Sequence, residues 1–345
     1  MDFIAAFGEI LPPDQTAMEN AKTRLDNIAK PVGSLGLLEQ VVVKAAGLTG
    51  DPDIRLNKRV VVVMCADNGV VREGVASTPP EITRVMAENM TRERTCVCVM
   101  AKQAGAQVIP VDIGMFEAAR IPGVMDRHVA RGTENIADGP AMSREQAIQA
   151  IETGIQLVKE LKEQGYHLLA AGEMGIGNTT TASAVAAVLL DKPVEAVTGP
   201  GAGLSDTALE HKKAVIRKAI QINKPDPHDA LDVLAKLGGL DMAGMCGLYI
   251  GGVLYRVPVL VDGFISAVSA LVAKRLCPAS FDAMLPSHVS AEPAGPMVLN
   301  VLGLAPLITA GMRLGEGTGA AAAMALLDMM LHVYHEMITF ADIGM

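Results

Sequence analysis

The sequence of 345 residues has no tryptophan, and four tyrosines and six phenylalanines are all its aromatic side chains. Proteins that hold single-stranded nucleic acid stack its bases on aromatic rings, so that class is excluded. Basic runs are also missing. Lysine and arginine total 29 against 38 acids, giving a formal net charge of −9, which argues against any nucleic-acid partner. The five cysteines (Cys65, Cys96, Cys98, Cys246 and Cys277) do not form a metal-ligand pattern, because Cys96-Val-Cys98 alone is not a zinc half-site. No metal is expected. The most membrane-like stretch, "MAGMCGLYIGGVLY" (242–255), has 14 residues and is followed by Arg256 and Pro258, so it reads as a buried helix and no membrane is implied. The N-terminal "MDFIAAFGEILPPDQ" lacks a basic n-region, so no signal peptide is expected. With free thiols, that points to a reducing cytoplasm. Internal repeats and low-complexity segments are absent.

What is present is half hydrophobic and only 19% charged, the balance of a chain with a large packed core. Four apolar runs rich in Val, Ile or Leu end in glycine or an acid and read as buried parallel strands: 59–70, 106–115, 166–178 and 257–264. Helical patterns alternate with them over 82–102, 143–164, 179–190, 207–222, 229–237 and 263–276. Such alternation predicts an α/β fold, a Rossmann-like, mostly parallel sheet flanked by helices. Residues 1–28 read as helical and no convincing strand follows Pro296. The expected division is a large α/β domain over 29–296, with 1–28 and 297–345 forming a small helical domain that closes over the site. Ligands of such sheets bind beyond the carboxyl ends of the strands. Asp67, Asp112, Glu173 and Asp262 all fall there.

Several loops on that rim carry chemistry. In "GMRLGEGTGAAAAM" (311–324), Glu316 stands between two glycines with Arg313 the one cation near it in sequence. It is either an acid complementing a helix N-terminus or a general base in a partly dry pocket. "GEMGIGNTTTAS" (172–183) joins a strand to a helix through three glycines. Asn178, Thr179 or Thr180 can cap that helix, whose amides favour an anion, although neither the dinucleotide nor the Walker spacing is present. "TGPGAGLSDTALEHKK" (198–213) repeats the style, with Ser205 and Asp206 as cap candidates. Lys212, two turns in, is either a solvated lysine or the partner of an anion in the crevice. Asp67 in "CADNG" suits a ribose hydroxyl or, more commonly, a turn. "LPSHVSAEPAG" (285–295) gathers Ser287, His288, Ser290 and Glu292. The sequence has no G-x-S-x-G elbow, so His288 reads as structural or binding. His332 and His335 have no third ligand in reach.

Taken in order, "PVGSLGLLE" (31–39), "ADNGVVREGVASTPPEIT" (66–83), "GEMGIGNTT" (172–180), "GPGAGLSD" (199–206), "VDGFISA" (261–267), "SHVSAEP" (287–293) and "MRLGEGTGAA" (312–321) resemble one family over residues 10 to 340. It is the nicotinate-nucleotide–dimethylbenzimidazole phosphoribosyltransferases of cobamide lower-ligand assembly, often called CobT. The resemblance implies transfer of phosphoribose from nicotinate mononucleotide to a benzimidazole nitrogen, without cofactor or metal, in a protein that is usually a homodimer. It implies Glu316 as the base that takes the azole proton and Glu173 as a second active-site acid. Lys212 and Gly201 match positions that approach the phosphate, and Thr78 and Met86 match the lining of the base pocket. Some relatives have serine and glutamine at those last two places, so the pocket is expected to be more apolar here. Met174, Gly175, Asn178, Thr179, Asp262, Ser287, Leu314 and Gly315 complete the substrate-contacting positions implied. Three rivals stand beside this reading. One is a non-catalytic nucleotide sensor, which does not need Glu316. Another is an NAD-dependent dehydrogenase, which lacks its G-x-G-x-x-G here. The third is a transferase using the pyrophosphate donor, which needs an acidic pair where "VVVMCADNG" has Asp67 alone.

Overall fold

The computed structural model describes residues 5–117 and 120–345, so the first four residues of the expected N-terminal helical region lie outside it. Six strands form one parallel sheet: β1 Arg59–Ala66, β2 Ala106–Gly114, β3 Met125–Asp126, β4 Leu168–Met174, β5 Val259–Val261 and β6 Met284–Pro286. Their order is β3-β2-β1-β4-β5-β6, every neighbouring pair parallel. This is the doubly wound arrangement whose strand order reverses between β1 and β4.

The reason is visible in β1, "RVVVVMCA". Side chains alternate across a strand. Val60, Val62 and Met64 enter one apolar cluster while Val61, Val63 and Cys65 enter the other, so the strand is buried on both faces. Helices must therefore cover both sides. On one side lies Leu240–Leu254, buried over all but its last residue. It packs on Arg144–Glu163, where a Cβ at Gly247 would sit 2.9 Å from the Cα of Gly154, an approach that only glycine permits. On the other side lie Gln15–Asn27, Cys96–Gln103 and Thr318–Glu336, whose buried residues share a cluster with Val61, Val63 and Leu168. The two terminal segments meet in an antiparallel bridge between Ile28 and Thr339, and Arg24 Nε donates to the Tyr334 carbonyl at 3.0 Å.

Most expected elements form within a residue or two. Ser143, Ser205 and Asp229 cap their helices through side-chain oxygens. The apolar stretch at 242–255 is a buried helix, and among the described residues no helix is long and apolar enough to cross a membrane. Two expectations need correction, and two strands were unexpected. The helix over 82–102 is two helices, Ile82–Thr91 and Cys96–Gln103. Glu93 turns left-handed between them and Thr95 Oγ1 caps the second by accepting from Cys98 N at 3.5 Å, so the chain restarts rather than continues. Short β3 and β6 were not legible, because strands of two and three residues carry no periodicity. Finally, the helix Asn178–Leu189 is capped by none of its polar candidates. Gly177 is the cap, left-handed at φ 94°, which releases the Asn178 side chain for another partner.

Candidate active site

The crevice beyond β1, β4 and β5 encloses about 320 Å³, within the range of small-molecule sites. A larger cavity of about 730 Å³ lies between the N-terminal helices and Phe281, but volume does not decide between them. The smaller one collects the glycine loops and the carboxylates, and convergent polar groups in a cleft mark a chemical site.

Glu316 stands in this crevice in an unusual backbone state. Gly315, Glu316 and Gly317 are all left-handed, at φ 90°, 61° and 91°. For a glutamate that conformation costs about 1–2 kcal/mol, and strain of this kind persists where the surroundings enforce it. The helix Thr318–Glu336 starts just after, and Glu316 does not cap it. That role falls to Asp262 at the end of β5, whose Oδ1 accepts from Ala320 N at 2.9 Å and whose Oδ2 accepts from Gly317 N at 3.2 Å. Glu316 Oε2 receives one long bond, 3.4 Å, from Val97 N. Burial, and secondarily the charge of Asp262, push its carboxyl above the ordinary glutamate range. Arg313 does not neutralise it: its guanidinium donates to the Gly201 carbonyl at 3.2 Å. Glu316 is a buried, raised carboxylate facing a cavity, not a helix cap.

Glu173 faces the same space from the end of β4, and a Cβ at Gly315 would collide with its Oε1. Its other oxygen, Oε2, accepts from Asn178 Nδ2, which also donates to Asp241 Oδ2 at 2.9 Å. Burial first and Asp241 second hold the Glu173 carboxyl well above its usual value.

Behind the crevice Lys212 is wholly buried, with its Nζ donating to Thr179 Oγ1 at 2.9 Å and to the Gly199 carbonyl at 3.2 Å. Burial lowers this ammonium to about 8, with the Glu292 carboxylate opposing the drop. Lys212 does not itself line the crevice; it stands directly behind Thr179, which does. Gly201 is left-handed, at φ 55°, and bare toward both. The first turn of Asn178–Leu189 opens beside them. A helix N-terminus next to a buried cation is a place for an anion.

Of the expected positions, Glu316, Glu173, Thr78, Met86, Met174 and Gly175 line the crevice, as do Asn178, Thr179, Gly201, Asp262, Leu314 and Gly315. Ser287 does not. Its hydroxyl is turned to the Val261 carbonyl and supports the β5 end from behind. The four rim acids also divide. Glu173 and Asp262 enter the crevice. Asp112 accepts from Met115 N at 2.9 Å, with His128 beside it, and serves a turn, whereas Asp67 accepts from Phe116 N at 2.7 Å and ties its loop to the one after β2. His288 lines the crevice, with its Nδ1 3.8 Å from Asp262 Oδ1. Glu292 lines it too, and its Oε2 is buried without a hydrogen-bond partner. Neither Glu292 nor Asp241 was assigned a part from sequence. Asp241 had a signal, a lone acid at the head of a wholly apolar helix. Among the described residues no cluster of His, Cys, Asp and Glu is arranged to hold a metal ion.

Comparison with known proteins agrees with this geometry. A family model described as phosphoribosyltransferase, DBI_PRT, matches residues 10–345. The chain is 47% identical over 325 residues to the nicotinate-nucleotide–dimethylbenzimidazole phosphoribosyltransferase of Acetivibrio thermocellus, covering 94% of this chain and 93% of that one. It is 46% identical over 342 residues to the enzyme of the same name from Ruminiclostridium cellulolyticum, covering 99% and 97%. The crystal structure of CobT from Thermus thermophilus superposes with a TM-score of 0.90 at 38% identity, over 95% of this chain and 98% of that one.

Proposed function

Because this chain belongs to the nicotinate-nucleotide–dimethylbenzimidazole phosphoribosyltransferase family, pentosyltransferases of cobalamin lower-ligand synthesis, we propose that it moves the phosphoribosyl group of nicotinate mononucleotide to 5,6-dimethylbenzimidazole or a related flat base. The products are nicotinate and an α-ribazole 5′-phosphate. The observation that carries the assignment of roles is Glu316, a buried, raised carboxylate with no cation paired to it among the described residues, facing the crevice that Thr179, backed by Lys212, also lines.

Nicotinate is attached as an N-glycosyl pyridinium, so the C1′–N bond can break with its electron pair moving to the ring nitrogen, and no acid is required. The incoming azole forms the new C1′–N bond with the lone pair of its unprotonated nitrogen, on the opposite face, inverting the anomeric carbon. As it does so, its N–H proton passes to Glu316. A carboxylate raised above its ordinary value is a stronger acceptor for that proton, and general-base assistance contributes about 10²–10⁴-fold. The same negative charge favours the oxocarbenium character that develops at C1′. In this reading Lys212, through Thr179, the glycine loop at 175–177 and Gly201 hold the phosphate. Thr78, Met86, Met174 and Leu314 bound the aromatic base, a largely apolar wall that favours hydrophobic substituents on the acceptor.

The reading further takes the protein to be a cytoplasmic homodimer, with 29–296 as the large unit and 1–28 plus 297–345 closing over the site. The exposure of Leu314 at the crevice is consistent with cover from a second copy. A non-catalytic sensor would leave the strained Glu316 without a purpose, and nothing favours it. The test is an end-point assay with nicotinate mononucleotide and 5,6-dimethylbenzimidazole, products resolved by chromatography and mass. Joint release of nicotinate and a ribazole phosphate is expected. Measurable nucleotide binding with no product from any of several aromatic bases would overturn the proposal.

A further inference from the structure

Glu173 and Asp241 are buried carboxylates joined by one amide group. Asn178 Nδ2 has two hydrogens; one goes to Glu173 Oε2 and the other to Asp241 Oδ2, 2.9 Å away. That side chain is free to bridge them because Gly177, not Asn178, caps the helix. Two anions in a low dielectric, sharing a single neutral donor group, repel strongly, so such a pair keeps one proton between them.

Which of the two keeps it follows from their surroundings. Asp241 lies in the first turn of Leu240–Leu254, where the helix dipole favours a negative charge, and its Oδ1 accepts from Met242 N at 2.9 Å. Glu173 has no such support. It faces Asp241 from the helix at 240–254, Asp262 from the end of β5 and Glu316 from the loop before 318, all acids. Asp241 faces Glu173 and, from the end of β1, Asp67; Cys65 lies beneath both. Burial lifts both carboxyls, Asp241 only to about 6 and Glu173 well above its usual value.

We propose that Asp241 is a positioning residue that, through the shared amide of Asn178, keeps Glu173 as a neutral carboxylic acid whose hydroxyl points into the crevice. Oε2 is then the carbonyl oxygen that accepts from Asn178, and Oε1, beside Gly315, carries the proton. Glu173 offers a donor to the oxygen atoms of the nucleotide and adds no negative charge near its phosphate. Glu316 is left as the crevice carboxylate that accepts the azole proton.

The test has two arms, only one of which rests on the phosphoribosyl-transfer reading. Infrared difference spectra of the intact enzyme at pH 7, without substrate, should contain a protonated-carboxyl band that disappears in Glu173→Gln. In Asp241→Asn the band should titrate away at lower pH, by about one unit or more, because the like charge is removed. In the kinetic arm, the alkaline fall of kcat at saturating nucleotide should move down by the same amount in Asp241→Asn and vanish in Glu173→Gln, whatever the loss of absolute rate. A purely structural Asp241 would lower the rate without moving either pH midpoint. If Glu173→Gln removes no protonated-carboxyl band, the proposal is wrong even if Asp241→Asn fails to fold. If the band behaves as described and no turnover is found, the reaction assignment fails instead.

Discussion

Asp262 caps the helix that begins beside Glu316: its two oxygens accept from Ala320 N at 2.9 Å and Gly317 N at 3.2 Å. The end of β5 thereby fixes the place where the chain must turn left-handed, and the glutamate is held out over the crevice instead of folding back on its own helix. Asp262→Ala would strand those two buried amides, at about 1–3 kcal/mol for an unsatisfied buried donor. A lower melting temperature is expected, with kcat falling more than KM rises. An unchanged melting temperature would show that the cap is not holding the loop.

Gly172 in β4 supports the same loop by close approach. A Cβ there would lie 2.5 Å from the Glu316 carbonyl oxygen and 2.8 Å from its carbonyl carbon. Both are backbone atoms and cannot rotate away. Gly172→Ala should shift Glu316 and lower turnover by about 10²-fold, as misplacement of a catalytic group by about 1 Å can do. Nucleotide affinity, assigned to Lys212 and Thr179, which a Cβ at Gly172 does not touch, should change far less; equilibrium binding and single-turnover rates on the same variant separate the two.

Lys212 gives a pH dependence of definite sign. Burial lowers its ammonium to about 8, so the free enzyme loses this charge as pH rises through that value. Affinity for nicotinate mononucleotide should be fully expressed below about pH 7 with respect to Lys212 and weaken above about 8. Lys212→Ala should bind more weakly throughout and lose that alkaline limb. Unchanged affinity with a large fall in single-turnover rate would contradict the phosphate role.

Glu316→Gly should abolish activity and yet stabilise the fold. Glycine relieves the left-handed strain at φ 61°, worth about 1–2 kcal/mol, against an entropic penalty of about 0.5–1 kcal/mol. Removing a carboxyl that burial has raised also removes a group the folded state disfavours in its charged form. That contribution is largest at pH above the raised folded-state value and shrinks as pH falls toward 4.5. A melting temperature below the parent's at pH 7 would mean that Glu316 contributes contacts of its own.

The sequence carried the sheet and most of the helices because β1, β2 and β4 are long apolar runs and their crossover helices have caps and period. The break at 92–95 was missed because Thr91 to Thr95, all polar, also read as a solvated turn of one helix, whereas the left-handed Glu93 ends the first helix and Thr95 caps the next. Site membership was legible where glycine loops announce themselves: at 172–179, 199–201 and 314–316. What each polar side chain does there was less so. Asn178 reads as a cap, but Gly177 takes that place and the amide goes to two acids. Asp241 is remote in sequence from every motif and meets the site through Asn178, from the head of a helix that Gly154 and Gly247 let pack close against its neighbour. Asp67 and Asp112 end their strands as Glu173 does, yet nearby backbone amides claim them.

The central claim is that Glu316 takes the proton of the attacking azole. Glu316→Gln keeps the shape and hydrogen-bonding reach of the side chain and removes its basicity. Single-turnover rates with nicotinate mononucleotide and 5,6-dimethylbenzimidazole, measured beside nucleotide affinity across pH, test it most directly. The parent rate should fall as pH drops through a value above that of an ordinary glutamate. The variant should be slower by at least about 10²-fold, lose that acid limb and bind nucleotide nearly as well. A Glu316→Gln enzyme within a few-fold of the parent, or one retaining the acid limb, would show that the proton goes elsewhere.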